Sequence, residues 1–352
     1  GRESGCRTDD QALLCSEGGG IWNTGTLTLM DSTVSGSSAH FGGGIANRGG
    51  SLTLIDSAVL TSSAAGCRGV GSVVCSGGGG LWNSGALALE ESRVSENTAD
   101  WGGGIYSRGV STLTRSSVSG NAAGFDGGGL LNFETMSLID STVSDNDSGQ
   151  SGGGIANEAG VVQVTSSTLS ANTAAAAGGS LFNPAGAAAD LLNTTVSGNT
   201  ADTGGGIYNG GELTLASSTM AGNAAATAGA IYDPGTSNAT QRWIANSLIE
   251  GDCGGEPFDS GGYNVESPAD TCGFEQATDQ PAQSQLGLGP LEDNGGPTET
   301  HPLLGGSVAI DQIPVLDCVD RAGDPLSVDQ RGEPRPSGAS SRCDVGAFEV
   351  QP

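Results

Sequence analysis

The residues of this 352-residue chain that most readily form bonds with one another are its eight cysteines. They fall into four local pairs, which are Cys6 with Cys15, Cys67 with Cys75, Cys253 with Cys272, and Cys318 with Cys343. An even count in short loops, without a Cys-x-x-Cys motif or a histidine cluster, favours disulfide bonds over a metal site. We therefore predict four local disulfides and an oxidising compartment, which places the protein outside the cell or on its surface.

Carboxylates are the second group that could do chemistry, since Asp and Glu number 39 against 12 basic residues. Every basic residue is an arginine, and the formal net charge of −27 argues against a nucleic acid or an anionic membrane as partner. Acid–base cleavage of a polymer needs a basic side chain beside a carboxylate or metal cluster, or several convergent carboxylates. The adjacent pair Asp9-Asp10 lies within the first cysteine loop, and the arginines are scattered. The sequence therefore predicts no catalytic residue and no enzymatic activity.

The acidic composition leaves calcium binding open as an alternative. Four aspartates precede glycine-rich turns at similar positions, and they are Asp100, Asp126, Asp147 and Asp202. Oxygen ligands of this type suit Ca²⁺, but the chain has no Asp-x-Asp-x-Asp spacing. A role of the acidic residues in solubility is the simpler interpretation, so we predict no cofactor and treat calcium as an alternative.

A repeated phrase determines where all these side chains lie. The phrase is Gly204-Gly205-Gly206-Ile207-Tyr208-Asn209, and related copies begin at Gly18, Gly42, Gly78, Gly102, Gly127, Gly152, Gly178 and Ala228. Successive copies start 24 to 36 residues apart, which is typical of a solenoid. Between them, apolar and small polar residues alternate, as at Leu27 and Leu29, and this alternation indicates short β-strands. Three short strands per repeat can bury an apolar face only by stacking. We predict an all-β, right-handed parallel β-helix of about ten coils with a loop-rich C-terminal cap.

Stacked coils place equivalent residues in columns. One polar column at a turn is predicted to contain Asn23, Asn47, Asn83, Asn132, Asn157, Asn183 and Asn209, and a second contains Asn97, Asn121, Asn146, Asn172, Asn199 and Asn223. Asn tolerates left-handed backbone, and its amide can bond to the coils above and below. Aromatic residues follow the inward isoleucines and should face outward. We predict a contact surface formed by Trp22, Trp82, Tyr106 and Tyr208.

The composition changes along the chain. Residues 1–17 are predicted to form an N-terminal disulfide loop, residues 18–252 the repeats, and residues 253–352 a cap that covers the last coil. No apolar run is long enough to span a membrane. The polar start of the chain suggests a mature form from which a signal peptide has been removed.

The C-terminal part resembles a known family. The segments 288–303, 305–311, 329–336 and 343–349 are similar to the signature of choice-of-anchor Q domain proteins. These are bacterial exported β-helix proteins, so the resemblance implies a bacterial surface location. The repeats are also similar to those of chlamydial polymorphic outer-membrane proteins. Neither resemblance supplies a catalytic residue. The charged residues of this segment are interpreted as ion pairs that hold the cap together; they are Asp293, His301, Asp311, Asp329, Arg331 and Arg335.

Three classes of function follow from these patterns. The first is a non-enzymatic extracellular structural protein, adhesin-like or self-assembling, with a surface glycan or another protein as ligand. The second is a carbohydrate-active enzyme, a polysaccharide lyase or hydrolase, since many β-helices cleave acidic sugars. The third is a carbohydrate- or ice-binding module, for which the outward column that includes Thr142, Thr168, Thr195 and Thr219 would supply the threonines. We favour the first class, with homo-oligomers or homopolymers formed by end-to-end stacking.

Overall fold

The computed structural model describes residues 16–66, 76–235, 242–338 and 340–352, together with the backbone of strands Arg7–Asp9 and Ala12–Leu14. These two strands form an antiparallel pair. In the part of the chain so described, no helix is long and apolar enough to cross a membrane. The remaining strands build four parallel sheets and one short antiparallel pair in the tail.

The first sheet begins directly after each glycine triplet. Its ten strands are Ile21–Asn23, Ile45–Asn47, Leu81–Asn83, Ile105–Ser107, Leu130–Asn132, Ile155–Asn157, Leu181–Asn183, Ile207–Asn209, Ile231–Asp233 and Cys253–Gly255.

The second sheet has the longest strands and follows the asparagine turn. Its ten strands are Thr26–Met30, Ser51–Ile55, Ala86–Glu90, Val110–Thr114, Thr135–Ile139, Val161–Thr165, Ala188–Leu192, Glu212–Ala216, Arg242–Ala245 and Asp259–Gly262.

The third sheet completes the predicted three-sided coil. Its ten strands are Thr33–Ser35, Ala58–Leu60, Arg93–Ser95, Ser117–Ser119, Thr142–Ser144, Thr168–Ser170, Thr195–Ser197, Thr219–Ala221, Leu248–Glu250 and Val265–Ser267.

A fourth, narrower sheet lies between the third sheet and the next glycine triplet. Its eight strands are Ser38–Ala39, Ser63–Ala64, Thr98–Ala99, Ala122–Ala123, Asp147–Ser148, Thr173–Ala174, Thr200–Thr203 and Ala224–Thr227. The structure thus confirms the predicted all-β, right-handed parallel β-helix and adds a short strand to most coils.

The core is a stack of aliphatic layers inside the coils. The inward residues of consecutive coils are in register, as Leu52 with Leu87 and Leu54 with Leu89 on the second sheet. These side chains belong to one continuous cluster that runs the length of the solenoid. Full burial of each such side chain contributes roughly 1.5–3 kcal/mol, so the alternating pattern of the sequence drives the stacking.

The glycine triplets are required by the close approach of successive coils. A Cβ atom on Gly43 would lie 2.4 Å from the carbonyl oxygens of both Gly79 and Ser63. The preceding residue, Gly42, has a φ of +62°, a conformation that residues with a side chain rarely adopt. Both constraints recur at each complete coil, which explains the repeated phrase.

The first asparagine column forms a hydrogen-bonded ladder. The side-chain amide of Asn23 donates to Oδ1 of Asn47 at 2.7 Å, and Asn47 donates to Asn83 at 2.8 Å. The later members continue in the same direction, since Asn132 donates to Asn157, Asn157 to Asn183, and Asn183 to Asn209.

Each side-chain amide of the first column also donates to a backbone carbonyl oxygen at or beside a turn, as that of Asn23 does to Gly25. The ladder therefore satisfies buried polar groups at one corner of every coil.

The second asparagine column behaves in the same way at the corner after the third sheet. Asn97 donates to Asn121 at 3.0 Å and also to the carbonyl oxygen of Val59 in the coil below. A third column, of serines before the third sheet, was not anticipated. There the backbone N–H of Ser92 donates to Oγ of Ser116 at 3.1 Å, and neighbouring coils repeat this contact. In all three columns, side chains supply the hydrogen bonds that water would otherwise make to polar groups at the corners, which the stacked coils remove from solvent.

The predicted boundary at residue 252 requires correction. Strands Cys253–Gly255, Asp259–Gly262 and Val265–Ser267 pair in parallel with the coil before them, so the solenoid continues to Ser267. The fourth sheet ends one coil earlier, and only Gly251 and Asp252 connect Glu250 with Cys253. Because this shortened turn lacks a fourth strand, the glycine triplet that marks the other coils is absent.

The predicted cap has two separate parts. The first covers the end of the core, where Phe258 and Phe274 join the main apolar cluster. There the buried carboxylate of Glu266 accepts hydrogen bonds from the backbone N–H groups of Thr271 and Cys272. The second part, residues 286–352, turns back along the side of the solenoid, so that most of the predicted cap is a lateral tail.

Two disulfides lie in this region, Cys253–Cys272 and Cys318–Cys343. They are two of the four pairs predicted from the sequence. The first ties the covering loop to the last coil, and the second holds the antiparallel strands Ile313–Pro314 and Arg342–Cys343 of the tail.

The two other predicted disulfides belong to the N-terminal part of the chain. One joins Cys6 to Cys15, and the other joins Cys67 to Cys75. All four of these cysteines lie outside the described residues. The structure therefore does not test either pair, and both stay predictions from the sequence.

Candidate functional site

The outer face of the first sheet carries a column of mostly aromatic residues in register. From coil one to coil nine its members are Trp22, Ala46, Trp82, Tyr106, Leu131, Ala156, Phe182, Tyr208 and Tyr232. All four residues of the predicted contact surface lie in this column. Their exposure differs, since Trp22 is 60% exposed whereas Tyr106 is only 9% exposed. Trp22 can therefore stack on a ligand, while Tyr106 lies beneath other side chains.

A second set of aromatic residues flanks the column in its N-terminal half. Phe41 lies 6.0 Å from Trp82 between ring centroids, and Trp101 stacks on Phe125 at 4.9 Å. Phe41 and Trp101 were not predicted from the sequence to belong to this surface. Their position in the repeat could have revealed them, because each directly precedes a glycine triplet. Together the two sets form an aromatic surface that extends over several coils.

Arg108 joins this surface at the turn after the first sheet. Its Nε donates to the hydroxyl of Tyr106 at 2.7 Å, and its guanidinium lies 5.0 Å from the ring centre of Phe133. Phe133 occupies the equivalent turn position one coil later, and Glu158 follows it in the next coil, as the backbone contacts of this turn show. A cation, an aromatic ring and a carboxylate thus follow one another along the solenoid.

Two carboxyl groups at this place have unusual environments. Burial raises the pKa of Asp126, whose Oδ1 accepts a 2.8 Å hydrogen bond from the backbone N–H of Ser151. Burial also raises the pKa of Glu158, and the nearby charge of Asp126 raises it further. The pKa of Tyr106 is also raised, mainly by burial, and the charge of Glu158 raises it further.

We call Tyr106, Arg108, Asp126, Phe133 and Glu158 the acid–aromatic cluster. Its members come from three successive coils. Such a group offers a carboxyl, a phenol and a guanidinium beside apolar rings. It can exchange hydrogen bonds with hydroxyl groups, and a carboxyl that keeps its proton can act as a general acid.

The four aspartates considered for calcium do not converge. Asp100 accepts hydrogen bonds from the backbone N–H and the hydroxyl of Ser76, and Asp126 belongs to the acid–aromatic cluster. Asp147 and Asp202 are exposed residues of two different strands of the fourth sheet. Among the described residues, no group of three or more His, Cys, Asp or Glu could hold a metal ion.

The threonine column considered for ice binding is not an open surface. Thr168, Thr195 and Thr219 are buried. The tail covers them, because Gln330 bonds to Thr168 and Thr195 and the backbone N–H of Ala347 donates to Thr219 at 3.0 Å. The expectation that this column faces solvent is therefore wrong for the three coils under the tail.

The charged residues of the tail hold it together. Arg331 pairs with Asp329 at 2.7 Å, and Arg335 pairs with Glu349 at 3.2 Å. These four residues are largely buried against the solenoid. His301 bridges the carbonyl oxygen of Gly289 and the hydroxyl of Ser197, which lies on the third sheet. Asp293 and Asp311 accept local hydrogen bonds from Gly295 and Ser340.

This arrangement fits the structural interpretation of the tail charges better than a reactive site. Each buried charge has an opposite charge or backbone groups as its partner, which is what allows it to remain buried.

Comparison with known proteins identifies the class of fold. The crystal structure of pectate lyase Pel9A is similar to this chain with a TM-score of 0.57, covering 96% of this chain and 84% of the lyase chain. The two sequences are only 13% identical, so the similarity establishes a parallel β-helix of the pectate-lyase type and nothing about activity. No protein-family model and no curated protein matches the sequence.

Proposed function

We propose that this protein is a non-enzymatic, adhesin-like protein of the bacterial cell surface or extracellular space that binds a glycan. The observation that carries the proposal is the aromatic surface of the first sheet, with the exposed indole of Trp22 at one end and the acid–aromatic cluster within it. Aromatic rings stack on the apolar faces of sugars. The carboxyl and guanidinium groups beside them suit sugar hydroxyls.

The net charge of the chain limits which class of glycan it can bind. A net charge of −27 repels polyanions such as pectate, while a neutral or amino-containing polymer is not repelled. The extracellular location is supported by the two disulfides of the described chain, because such bonds persist in oxidising compartments. Membership of the choice-of-anchor Q family remains a prediction from the sequence.

The experiment is a binding titration with neutral and amino-containing polysaccharides. Trp22→Ala is expected to weaken binding by about fivefold, because an aromatic contact contributes roughly 1 kcal/mol. Met30→Ala is a matched control, since Met30 has the same 60% exposure but lies on the second sheet. Equal affinity of the two variants, or no binding by the unaltered protein, would contradict the proposal.

A carbohydrate-cleaving enzyme is the second candidate. It is supported by the raised pKa values of Asp126 and Glu158 and by the fold that the chain has in common with a pectate lyase. New reducing ends or unsaturated products, lost in both Asp126→Asn and Glu158→Gln, would favour this candidate. Binding without any product would favour the adhesin-like protein.

End-to-end self-assembly is a further part of the proposal. It is supported by the first described coil, where the inward side chains Ile21, Leu27, Leu29 and Val34 are only partly buried. A second copy stacked on that coil would cover them. Filaments in electron micrographs would support end-to-end assembly, and an absence of particles larger than a dimer at high concentration would contradict it.

A further inference from the structure

Glu158 of the acid–aromatic cluster is a half-buried carboxyl group without a partner of its own. Among the residues that the structure describes, none donates a hydrogen bond to its side chain or forms an ion pair with it. Asp126, a group of like charge, is close enough to repel it. Asp126 belongs to the preceding coil, where its Oδ1 is held by the backbone N–H of Ser151. Two neighbouring carboxyl groups thus lie together without a cation between them.

Other buried carboxyl groups of this chain do have partners. Asp329 pairs with Arg331 at 2.7 Å, and Glu266 accepts hydrogen bonds from the backbone N–H groups of Thr271 and Cys272. Such partners offset the cost of removing a charge from water. Glu158 lacks both kinds of partner among the described residues, so a group from outside the chain is needed to complete its surroundings.

Arg108 does not supply this partner, although it belongs to the same cluster. It occupies the same turn two coils earlier, about 10 Å away along the axis at the usual spacing of strands. Phe133 occupies the coil between them. The Nε of Arg108 donates to the hydroxyl of Tyr106, and its guanidinium lies over the ring of Phe133. The cation of the cluster is therefore engaged at one end, while the two carboxyl groups are at the other.

Aromatic rings border the carboxyl groups. The ring of Phe133 lies 5.4 Å from that of Tyr106 between centroids, one coil before Glu158. Ring faces attract cations, and the apolar surroundings of a ring strengthen the attraction between a cation and a carboxylate. Uncompensated negative charge beside aromatic rings is the chemistry that recognises an ammonium group.

We propose that Glu158 and Asp126 bind the protonated amino group of an amino sugar within a glycan. This inference rests on the glycan binding proposed above and specifies the class of glycan. An ammonium group has three N–H donors and no acceptor, so it can donate to both carboxyl groups at once. Its charge relieves the repulsion between them, and the net charge of −27 attracts a cationic polymer to the protein.

Calorimetric titration of the full chain with two glucosamine oligomers of equal length tests this proposal. One oligomer is fully N-acetylated, and the other has free amino groups. The second should bind about tenfold more tightly or better, because hydrogen bonds between charged groups are stronger than those between neutral groups. Glu158→Gln keeps the size of the side chain and removes its charge. This variant should lose the preference for free amino groups while its affinity for the acetylated oligomer stays the same.

Glu134→Gln is the matched control. Glu134 directly follows Phe133 at the same turn, but its side chain is exposed. Solvent screens an exposed charge, so this variant should keep the preference for free amino groups. Circular dichroism melts of both variants establish that each is folded.

The possible failures of this proposal are distinct from those of glycan binding itself. Equal affinity for the two oligomers, while Trp22→Ala still weakens binding of a neutral polysaccharide, overturns the amine site and leaves glycan binding in place. A preference that persists in Glu158→Gln also overturns the amine site. Loss of the preference in both Glu158→Gln and Glu134→Gln would assign it to the overall charge of the chain, with the same consequence. Absence of binding to every glycan tested overturns both proposals.

Discussion

Gln330 of the tail accepts a 2.7 Å hydrogen bond from the hydroxyl of Thr195 on the third sheet, although 135 residues separate them in the sequence. The same side chain donates to the hydroxyls of Thr168 and Thr298 at 2.9 Å. One buried amide therefore joins the tail to two coils of the solenoid.

Removal of this amide should release the tail. Gln330→Ala leaves the buried hydroxyls of Thr168 and Thr195 without this partner, at an expected cost of about 2–4 kcal/mol. Hydrogen exchange should become faster in residues 286–352 while the inner strands remain protected. Gln163→Ala, at an exposed position of the second sheet, should change neither measurement. A tail that stays protected in Gln330→Ala would contradict this docking role.

Two glycine substitutions should show whether a glycine is required because a Cβ atom would clash or only because it lies in a turn. Gly43→Ala places a Cβ atom 2.4 Å from backbone carbonyl oxygens of two other strands or turns, so we expect a loss above about 3 kcal/mol or failure to fold. Gly25→Ala meets nothing within 4 Å and should change stability by less than about 0.5 kcal/mol. Urea unfolding of both proteins measures the difference. Similar losses in the two variants would show that coil spacing does not restrict Gly43.

The end of the first asparagine ladder should be sensitive to a change of one atom. Asn209 donates to Oδ2 of Asp233 at 2.9 Å, and Arg242 pairs with Oδ1 at 3.1 Å. Asp233→Asn would leave the buried Arg242 unpaired, so we expect a loss of about 3–5 kcal/mol. The double variant Asp233→Asn/Arg242→Met should recover part of it, because it removes the unpaired charge. A single variant as stable as the unaltered protein would disprove this account.

The protein should be more stable at pH 5 than at pH 8. Burial raises the pKa of Glu349 to about 7, and it also raises the pKa of Asp126, Glu158, Glu266 and Asp344. The folded chain then binds more protons than the unfolded chain. These carboxyl groups therefore contribute their full share to the free energy of unfolding below about pH 4.5, and this stabilisation is lost as the pH rises through about 7. Thermal melts across this range check the sign. A midpoint that rises toward pH 8 would contradict it.

Loss of the disulfide at the end of the solenoid should act locally. Cys253→Ser/Cys272→Ser removes the bond between the last coil and its covering loop, and we expect a cost of about 2–4 kcal/mol. Exchange should increase first around Phe258 and Phe274, which close the core there. If exchange increased instead in the tail strand Arg342–Cys343, the covering loop would not depend on this bond.

The sequence predicted the solenoid because its constraints are periodic. A glycine that cannot accept a Cβ and an inward isoleucine or leucine recur in each complete coil, a turn asparagine recurs in most of them, and each recurrence has a local physical cause. The fourth sheet was not predicted, because strands such as Ser38–Ala39 contain two small residues and too few positions to show alternation.

The lateral tail and the acid–aromatic cluster were not predictable for a different reason. Gln330 carries no periodic signal, and its contact with Thr195 arises only when the chain turns back along the third sheet. Asp126 and Glu158 belong to different coils and to different positions within the repeat, so their proximity depends on the three-dimensional stack. The aromatic residues Trp22, Trp82 and Tyr208 were predictable, since their column follows the inward isoleucines.

The first asparagine column gives the solenoid an electrical polarity. Each amide of this column described above donates toward the next coil in the C-terminal direction, so the amide dipoles of the column add along the axis with their positive ends in that direction. Parallel dipoles in an α-helix add in the same way and are stabilised by an anion at the positive end. Asp233 occupies that position in the first column. The stacked side chains therefore act as a charge-terminated dipole in a protein whose described residues form no long helix.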